Sequence, residues 1–100
     1  MLEKIEIEYE KAVLIGLITQ NQDEDKANEY LDELEFLAYT AGAEVLKRFK
    51  QKMAKPNPKT FLGTGKIEEI RQYIEANDVS TAIFDDELSP AQQKNIEKIF

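Results

Sequence analysis

Seven basic residues stand together in this chain with no acid among them. Lys47, Arg48, Lys50, Lys52, Lys55, Lys59 and Lys66 fall within residues 45–67, while the other six basic residues and all 20 acids lie elsewhere. A segregated positive field steers a polyanion to one face, and an acidic remainder repels it from the others. About five to seven phosphate contacts would give a steep salt dependence, with a log–log slope of order −4 to −6. The interleaved large side chains are Phe49, Met53 and Phe61, too few aromatics for a platform of stacked bases. Backbone or shape recognition of folded RNA fits such a patch better. A solvated strand and loop would carry the same charge run, and lysines on a strand edge also deter aggregation.

Inside the basic segment, Phe61-Leu-Gly-Thr-Gly-Lys66 reads as a glycine turn into a helix. Backbone N–H groups at a helix N-terminus attract anions, which makes Gly63, Thr64 and Gly65 candidates for a phosphate or close backbone contact beside Lys66. A Walker A loop would need glycine at Thr60 and Ser or Thr at Ile67. The third glycine of a dinucleotide fingerprint would fall on Glu68. The competing reading is a tight turn that uses glycines for their φ angles. Asp85-Asp86-Glu87 follows a predicted strand, at the end where α/β folds place ligands. Asp85 and Asp86 are thus candidates for holding magnesium, or members of a polar turn before the next helix. No companion base or nucleophile accompanies them, and no catalytic residue is assigned. The chain has neither histidine nor cysteine, which excludes a conventional zinc site, a Ser-His base and a disulfide framework.

These candidates need elements to position them. Ala12-Val-Leu-Ile-Gly-Leu-Ile18 is an apolar run of the length and pattern of a strand buried on both faces. After a polar turn, Ala27, Tyr30, Leu31, Leu34, Leu37, Ala38 and Ala41 recur at helical spacing, and Gly42 supplies a left-handed C-cap. Glu44 to Met53 predicts a second strand running out into solvent. Lys55-Pro-Asn-Pro-Lys59 must be an exposed loop, because prolines remove donors and fix the backbone. A second helix opens near Gly65, with Glu68 and Glu69 in its first turn and Ile67, Ile70, Tyr73 and Ile74 inward, and ends at Asn77-Asp78. Tyr30 and Tyr73 are expected in the helix core with a wet hydroxyl. Val79 to Phe84 is a third strand. Ser89-Pro90-Ala91-Gln92 opens a third helix with a capping box.

Strand and helix alternate three times, the pattern of an α/β fold in three layers: a mainly parallel sheet with flanking helices and right-handed crossovers. Residues 1–11 are a lead-in, in which Ile5-Glu-Ile-Glu-Tyr9 alternates like a short edge strand, and residues 12–100 form one α/β domain. Phe100 falls inside the last helix, and such a helix normally feeds another parallel strand. The expectation is therefore a C-terminally truncated piece of a longer protein, whose open sheet edge invites self-association. One hundred residues with 42% apolar content suit one folded domain. The longest apolar run is too short to span a bilayer and the N-terminus is too acidic for a signal peptide, so a cytoplasmic protein without a membrane span is expected. The net charge of −7 argues less against nucleic acid than its distribution argues for it.

Four stretches carry a family resemblance: Ala12-Val-Leu-Ile-Gly16, Ala38-Tyr-Thr-Ala-Gly-Ala-Glu44, Lys55-Pro-Asn-Pro-Lys-Thr-Phe-Leu-Gly-Thr-Gly-Lys66, and Ile83-Phe-Asp-Asp-Glu-Leu-Ser-Pro-Ala-Gln-Gln93. From about Ala12 onward the chain resembles the N-terminal domain of the HflX-type translational GTPases. The resemblance implies a parent protein in which this domain precedes a two-helix hairpin and a GTP-binding domain that uses GTP and magnesium. Family members bind the large ribosomal subunit, and some split stalled ribosomes under stress, with the N-terminal domain contributing ribosomal RNA contact. Here the hairpin and GTP-binding domain are absent, so this chain is expected to need no cofactor and not to hydrolyse GTP. On this reading the lysines meet phosphates while Gly63 and Gly65 let RNA approach. Two alternatives stand beside it. Some members handle ATP through the N-terminal region, which would place phosphates at Gly63 to Lys66 and magnesium at Asp85 and Asp86. The domain could instead dock on the GTP-binding domain and restrain it.

Overall fold

The computed structural model describes residues 9–20 and 22–100. The predicted edge strand at Ile5 to Tyr9 lies, Tyr9 apart, outside them. The elements alternate as β1 (Glu10–Ile18), α1 (Glu24–Thr40), β2 (Ala43–Lys52), α2 (Thr64–Asn77), β3 (Thr81–Phe84) and α3 (Pro90–Ile99). The sheet runs β2-β1-β3 with both pairings parallel. The fold is α/β, as expected, and the expected edges hold to within two residues.

β1 is central, and Ala12 to Ile18 is buried throughout. Its alternate residues divide the core. Val13, Ile15 and Leu17 join Phe49, Phe61, Leu62, Ile67, Ile70 and Ile96 in the larger cluster, under α2 and α3. Ala12 joins Ala38 and Ala43 in a smaller one beneath α1. Each fully buried valine, leucine or isoleucine side chain of this strand contributes about 1.5–3 kcal/mol.

α1 opens on Asp23, whose Oδ1 accepts the Asp25 N–H at 3.0 Å. Past its end Gly42 takes φ 92°, the left-handed position foreseen for it. Only Ala27, Leu31 and Ala38 of its predicted inner face are buried, while Tyr30 and Leu37 remain 52% and 54% exposed. The alanines and Gly16 bring helix and sheet so close that contact narrows to one stripe. A Cβ on Gly16 would lie 3.1 Å from a Leu31 methyl. Tyr30 is thus a surface residue, whereas Tyr73 packs edge-on to Phe49 with centroids 5.5 Å apart.

α2 begins at Thr64, which leaves Glu68 and Glu69 beyond its first turn. They pair along the helix with Arg71 and Lys66 instead of capping it. Asp78 ends α2 in the left-handed conformation, φ 51°. β3 starts two residues later than expected because the Val79 N–H still donates to Ile74 O. α3 carries the predicted capping box, Ser89 with Gln92, and proline in its first turn.

One irregularity was invisible in the sequence. Ala12 pairs with Val45 but Val13 with Lys47, so Leu46 is an extra residue in β2. This bulge re-aims the strand. Before it, Ala43 and Val45 pack towards α1. After it, Phe49 enters the α2 side and Arg48 turns to α1.

Gly16→Ala would push a methyl against Leu31 (3.1 and 3.2 Å) and the Asp85 carboxylate (3.3 Å). The expected cost is about 1–3 kcal/mol, read as a lower urea midpoint at unchanged slope.

Candidate nucleic-acid interface

The chain leaves β2 at Lys52 and reaches α2 through residues 53–63, at the carboxyl edge of the sheet. This loop carries Lys55 and Lys59, and it is tightly held. Asn57 and Phe61 bond reciprocally, Asn57 N–H to Phe61 O at 2.9 Å and Phe61 N–H to Asn57 O at 2.8 Å. Asn57 Oδ1 accepts the Lys59 N–H at 2.8 Å, the side-chain turn that asparagine favours. The Leu62 N–H donates to Thr60 O at 2.7 Å, across Phe61 at φ 68°. That is the positive-φ γ-turn, a strained conformation that persists only where its surroundings impose it. Here the surroundings are the core, since the Phe61 ring is 1% exposed and meets Phe84 edge-on at 5.7 Å.

Side chains from other elements complete the latch. Gln92 Nε2 of α3 donates to Asn57 O at 2.8 Å, and Asn95 Nδ2 to Lys59 O at 3.1 Å. Gln51 Oε1 of β2 accepts the Gly63 N–H at 2.9 Å. Gln92 therefore acts twice, because its Oε1 also accepts the Ser89 N–H at 2.8 Å in the capping box. The sequence signalled the box and not the second bond. It gave no sign that Gln51, Asn57, Phe61 and Asn95 position the loop, beyond the turn propensity of Asn57-Pro58.

The seven basic residues do not share one face. Lys47 Nζ lies over the rings of Phe49 and Tyr73, 5.0 and 5.2 Å from their centroids. Arg48 points the other way and binds Asp32 at 2.6 Å and Glu35 at 3.0 Å. Partial burial works against its charge, but the two carboxylates outweigh it and hold the guanidinium above its ordinary value. Lys50 Nζ donates to Asn28 Oδ1 at 2.9 Å, and Lys66 pairs with Glu69 at 3.1 Å. Lys52, Lys55 and Lys59 are exposed and enter no ion pair among the described residues.

At the glycine turn, Gly63 is the N-cap of α2 with φ −64°, and no side chain caps the helix. Neither Gly63 nor Gly65 has a positive φ. At Gly63 a Cβ would sit 3.1 Å from Gln51 Nε2, so a side chain there would press on the Gln51 amide that accepts the Gly63 N–H. Gly65 has open space around it and is exposed, with Thr64, in the first turn. The N–H groups of Thr64, Gly65 and Lys66 have no intrahelical acceptor, as in any first turn.

The same carboxyl edge carries acids on the loops beside the lysines. Asp85 and Asp86 line a cleft of about 370 Å³ with Leu17, Thr19, Gln22, Tyr30 and Pro56. It opens where the chain order reverses about β1, the usual ligand position of such sheets. Asp85 is turned inward, its oxygens 3.3 and 3.4 Å from the Leu17 N–H. Burial pushes its carboxyl up, the Leu17 N–H opposes this, and the neighbouring charge of Asp86 adds to the rise. Asp86 Oδ1 accepts the Glu87 N–H at 2.7 Å. Among the described residues no group of three or more potential metal-binding side chains gathers. With Asp85 turned to the Leu17 N–H of β1 and Asp86 to the Glu87 N–H of its own turn, the described residues do not fit a magnesium site.

The comparisons with known proteins bear on these elements directly. The family model described as GTP-binding GTPase N-terminal matches residues 28–100. This chain belongs to that family, as the N-terminal domain of an HflX-type GTPase. A protein named GTPase HflX from Flavobacterium psychrophilum is 67% identical over 99 residues, 99% of this chain and 24% of its own length. Proteins of the same name are 44% identical in Lacrimispora saccharolytica, over 97% of this chain and 22% of their own, and 41% identical in Escherichia coli K12, over 90% and 20%. The chain thus spans about a quarter or less of the relatives it matches. No helix of the described residues is long and apolar enough to cross a membrane.

Three outcomes are expected of this HflX-type domain. Phe61→Ala should lose about 3–5 kcal/mol, the cost of emptying an aromatic site in the core, measured by urea unfolding. Gly65→Ala should instead raise stability by about 0.5–1 kcal/mol, because nothing obstructs the methyl and glycine is a poor helix residue. Asp85 binds its proton more tightly folded than unfolded, so stability should fall as pH rises from the ordinary carboxylate range through its raised value. Urea midpoints of Asp85→Asn should exceed those of the parent above that window and match them below it.

Proposed function

We propose that this chain is the RNA-contacting N-terminal domain of a GTPase that acts on the large ribosomal subunit and separates or rescues ribosomes. GTP binding and hydrolysis, with magnesium, then belong to the part of the relatives beyond the length matched here, and the cytoplasm is the compartment where they act. The observation that carries the reading is the latched loop with Lys52, Lys55 and Lys59, three exposed ammonium groups that enter no ion pair among the described residues, on or beside a backbone held from β2 and α3. A loop ordered before binding lowers the entropic cost of contact. Lys66 and the exposed backbone at Thr64 and Gly65 extend the contact, and the open space at Gly65 suits close approach of a sugar–phosphate strand. Lys47, Arg48 and Lys50, engaged with rings, carboxylates or an amide, supply field more than contact. The acids on the neighbouring loops confine the polyanion to the β2–α2 side of the edge.

An auxiliary nucleotide site at Gly63 to Lys66 draws less support, because the Gly63 N–H is already bonded to Gln51. Docking onto a GTP-binding domain has no specific observation in its favour.

Co-sedimentation with purified large ribosomal subunits at low and near-physiological salt tests the proposal. Saturable binding that falls steeply with salt is expected. The triple variant Lys52→Glu, Lys55→Glu, Lys59→Glu should bind far more weakly and flatten the log–log salt slope by roughly two to three. Unchanged affinity in that variant would remove the loop from the interface.

A further inference from the structure

α1 presents an outward surface that the core does not use. Phe36, Tyr39 and Leu37 are 64%, 55% and 54% exposed, although the helix buries apolar residues elsewhere. Asp32, Glu35, Phe36 and Tyr39 stand at i, i+3, i+4 and i+7, so they form one helical face. That face meets the amino half of β2 in a groove of about 420 Å³, walled by Asp32, Glu35, Phe36, Tyr39, Glu44 and Arg48. The bulge at Leu46 shapes it, by turning Ala43 and Val45 towards α1 and then Arg48 after them. Its walls are fixed. Arg48 holds Asp32 and Glu35 at 2.6 and 3.0 Å, and Tyr9 stacks on Tyr39 with centroids 5.2 Å apart.

We propose that this groove docks a cationic amphipathic helix carried by a protein partner. Charge complementarity selects the occupant. α1 has six acids, Glu24, Asp25, Glu29, Asp32, Glu33 and Glu35, against the single base Lys26, and Glu44 adds another at the groove. Glu29, Glu33 and Glu44 enter no ion pair among the described residues. Lysine or arginine along the partner helix meets these carboxylates, its apolar stripe covers Phe36 and Tyr39, and an arginine gains further by lying on either ring. Phosphate is repelled here, which separates this surface from the lysine loop. The groove lies at the amino end of β2 and the lysine loop leaves its carboxyl end, so the domain can hold both partners at once. The inference does not depend on the ribosomal reading, because it rests on a different face.

The test is an NMR titration of the ¹⁵N-labelled 100-residue chain with a peptide of roughly 18 residues, leucine at i, i+3, i+4 and i+7 and lysine elsewhere. A scrambled peptide of the same composition is the control for unspecific charge. Expected are saturable shifts confined to the C-terminal half of α1 and to residues 43–48. The scrambled peptide, and the double variant Phe36→Ser, Tyr39→Ser with the helical peptide, should each bind at least about tenfold more weakly. Both replaced side chains are largely exposed, so the variant keeps its fold, and its spectrum verifies that. Equal binding of the scrambled peptide, shifts spread over every acid, or equal binding by the variant would overturn the proposal. So would shifts at the groove on dilution of the chain alone, which would assign it to a second copy, or on addition of an RNA hairpin.

Discussion

Everything in this domain hangs on β1. Burying a strand on both faces and pairing it along both edges leaves its backbone no polar group in need of water and its side chains no choice of layer. Ala12 to Ile18 meets that demand by being apolar without a break, with Val13, Ile15 and Leu17 in the core under α2 and α3 and Ala12 in the one beneath α1. Among the described residues β2 and β3 pair only with it. Their carboxyl ends, and so the loops that could do chemistry, inherit their positions from β1.

The second constraint is local and costs strain. A buried phenylalanine at positive φ is unfavourable in isolation, and it is tolerated because the ring contributes more in the core than the backbone loses. The result is a loop closed by Asn57 and Phe61 and clamped by Gln51, Gln92 and Asn95. Lysines on such a loop keep mobile side chains on an ordered backbone. The proposed RNA contact thus sits on a rigid support although Lys55 and Lys59 lie outside any regular element.

The bulge at Leu46 has the widest consequence for charge. Without it the odd-numbered residues of β2 would share one face from Ala43 to Gln51. With it, Ala43 and Val45 line the α1 side while Phe49 fills the α2 core. Arg48 lands on the carboxylates of α1, and Lys47 on the rings opposite. A run of positive charge continuous in sequence becomes one ion-paired arginine and two lysines held by rings and an amide along the strand, with a cluster at its end that enters no ion pair among the described residues. The groove proposed to dock a protein helix arises from the same event.

Order of elements, parallel sheet, capping box and both helix stops were legible in the sequence because each is a local demand. Hydrophobic period, proline, and a serine three residues before a glutamine act within one or two turns of chain. The family could be read as well, since runs such as Phe84-Asp-Asp-Glu-Leu-Ser89 are contiguous in sequence and carry the resemblance without the fold. What could not be read depended on residues distant in sequence. Tyr30 and Leu37 fit the apolar spacing of α1, yet lie outside because Gly16 draws the helix onto a narrow line. Gly63 looked like a turn glycine and proves to be one that Gln51 crowds. The order of residues alone thus determined that this protein carries segregated positive charge on an α/β frame. Which lysines find a partner among the described residues was decided only by the fold, because pairing depends on the distance between side chains and a single extra residue in β2 resets those distances for half a strand.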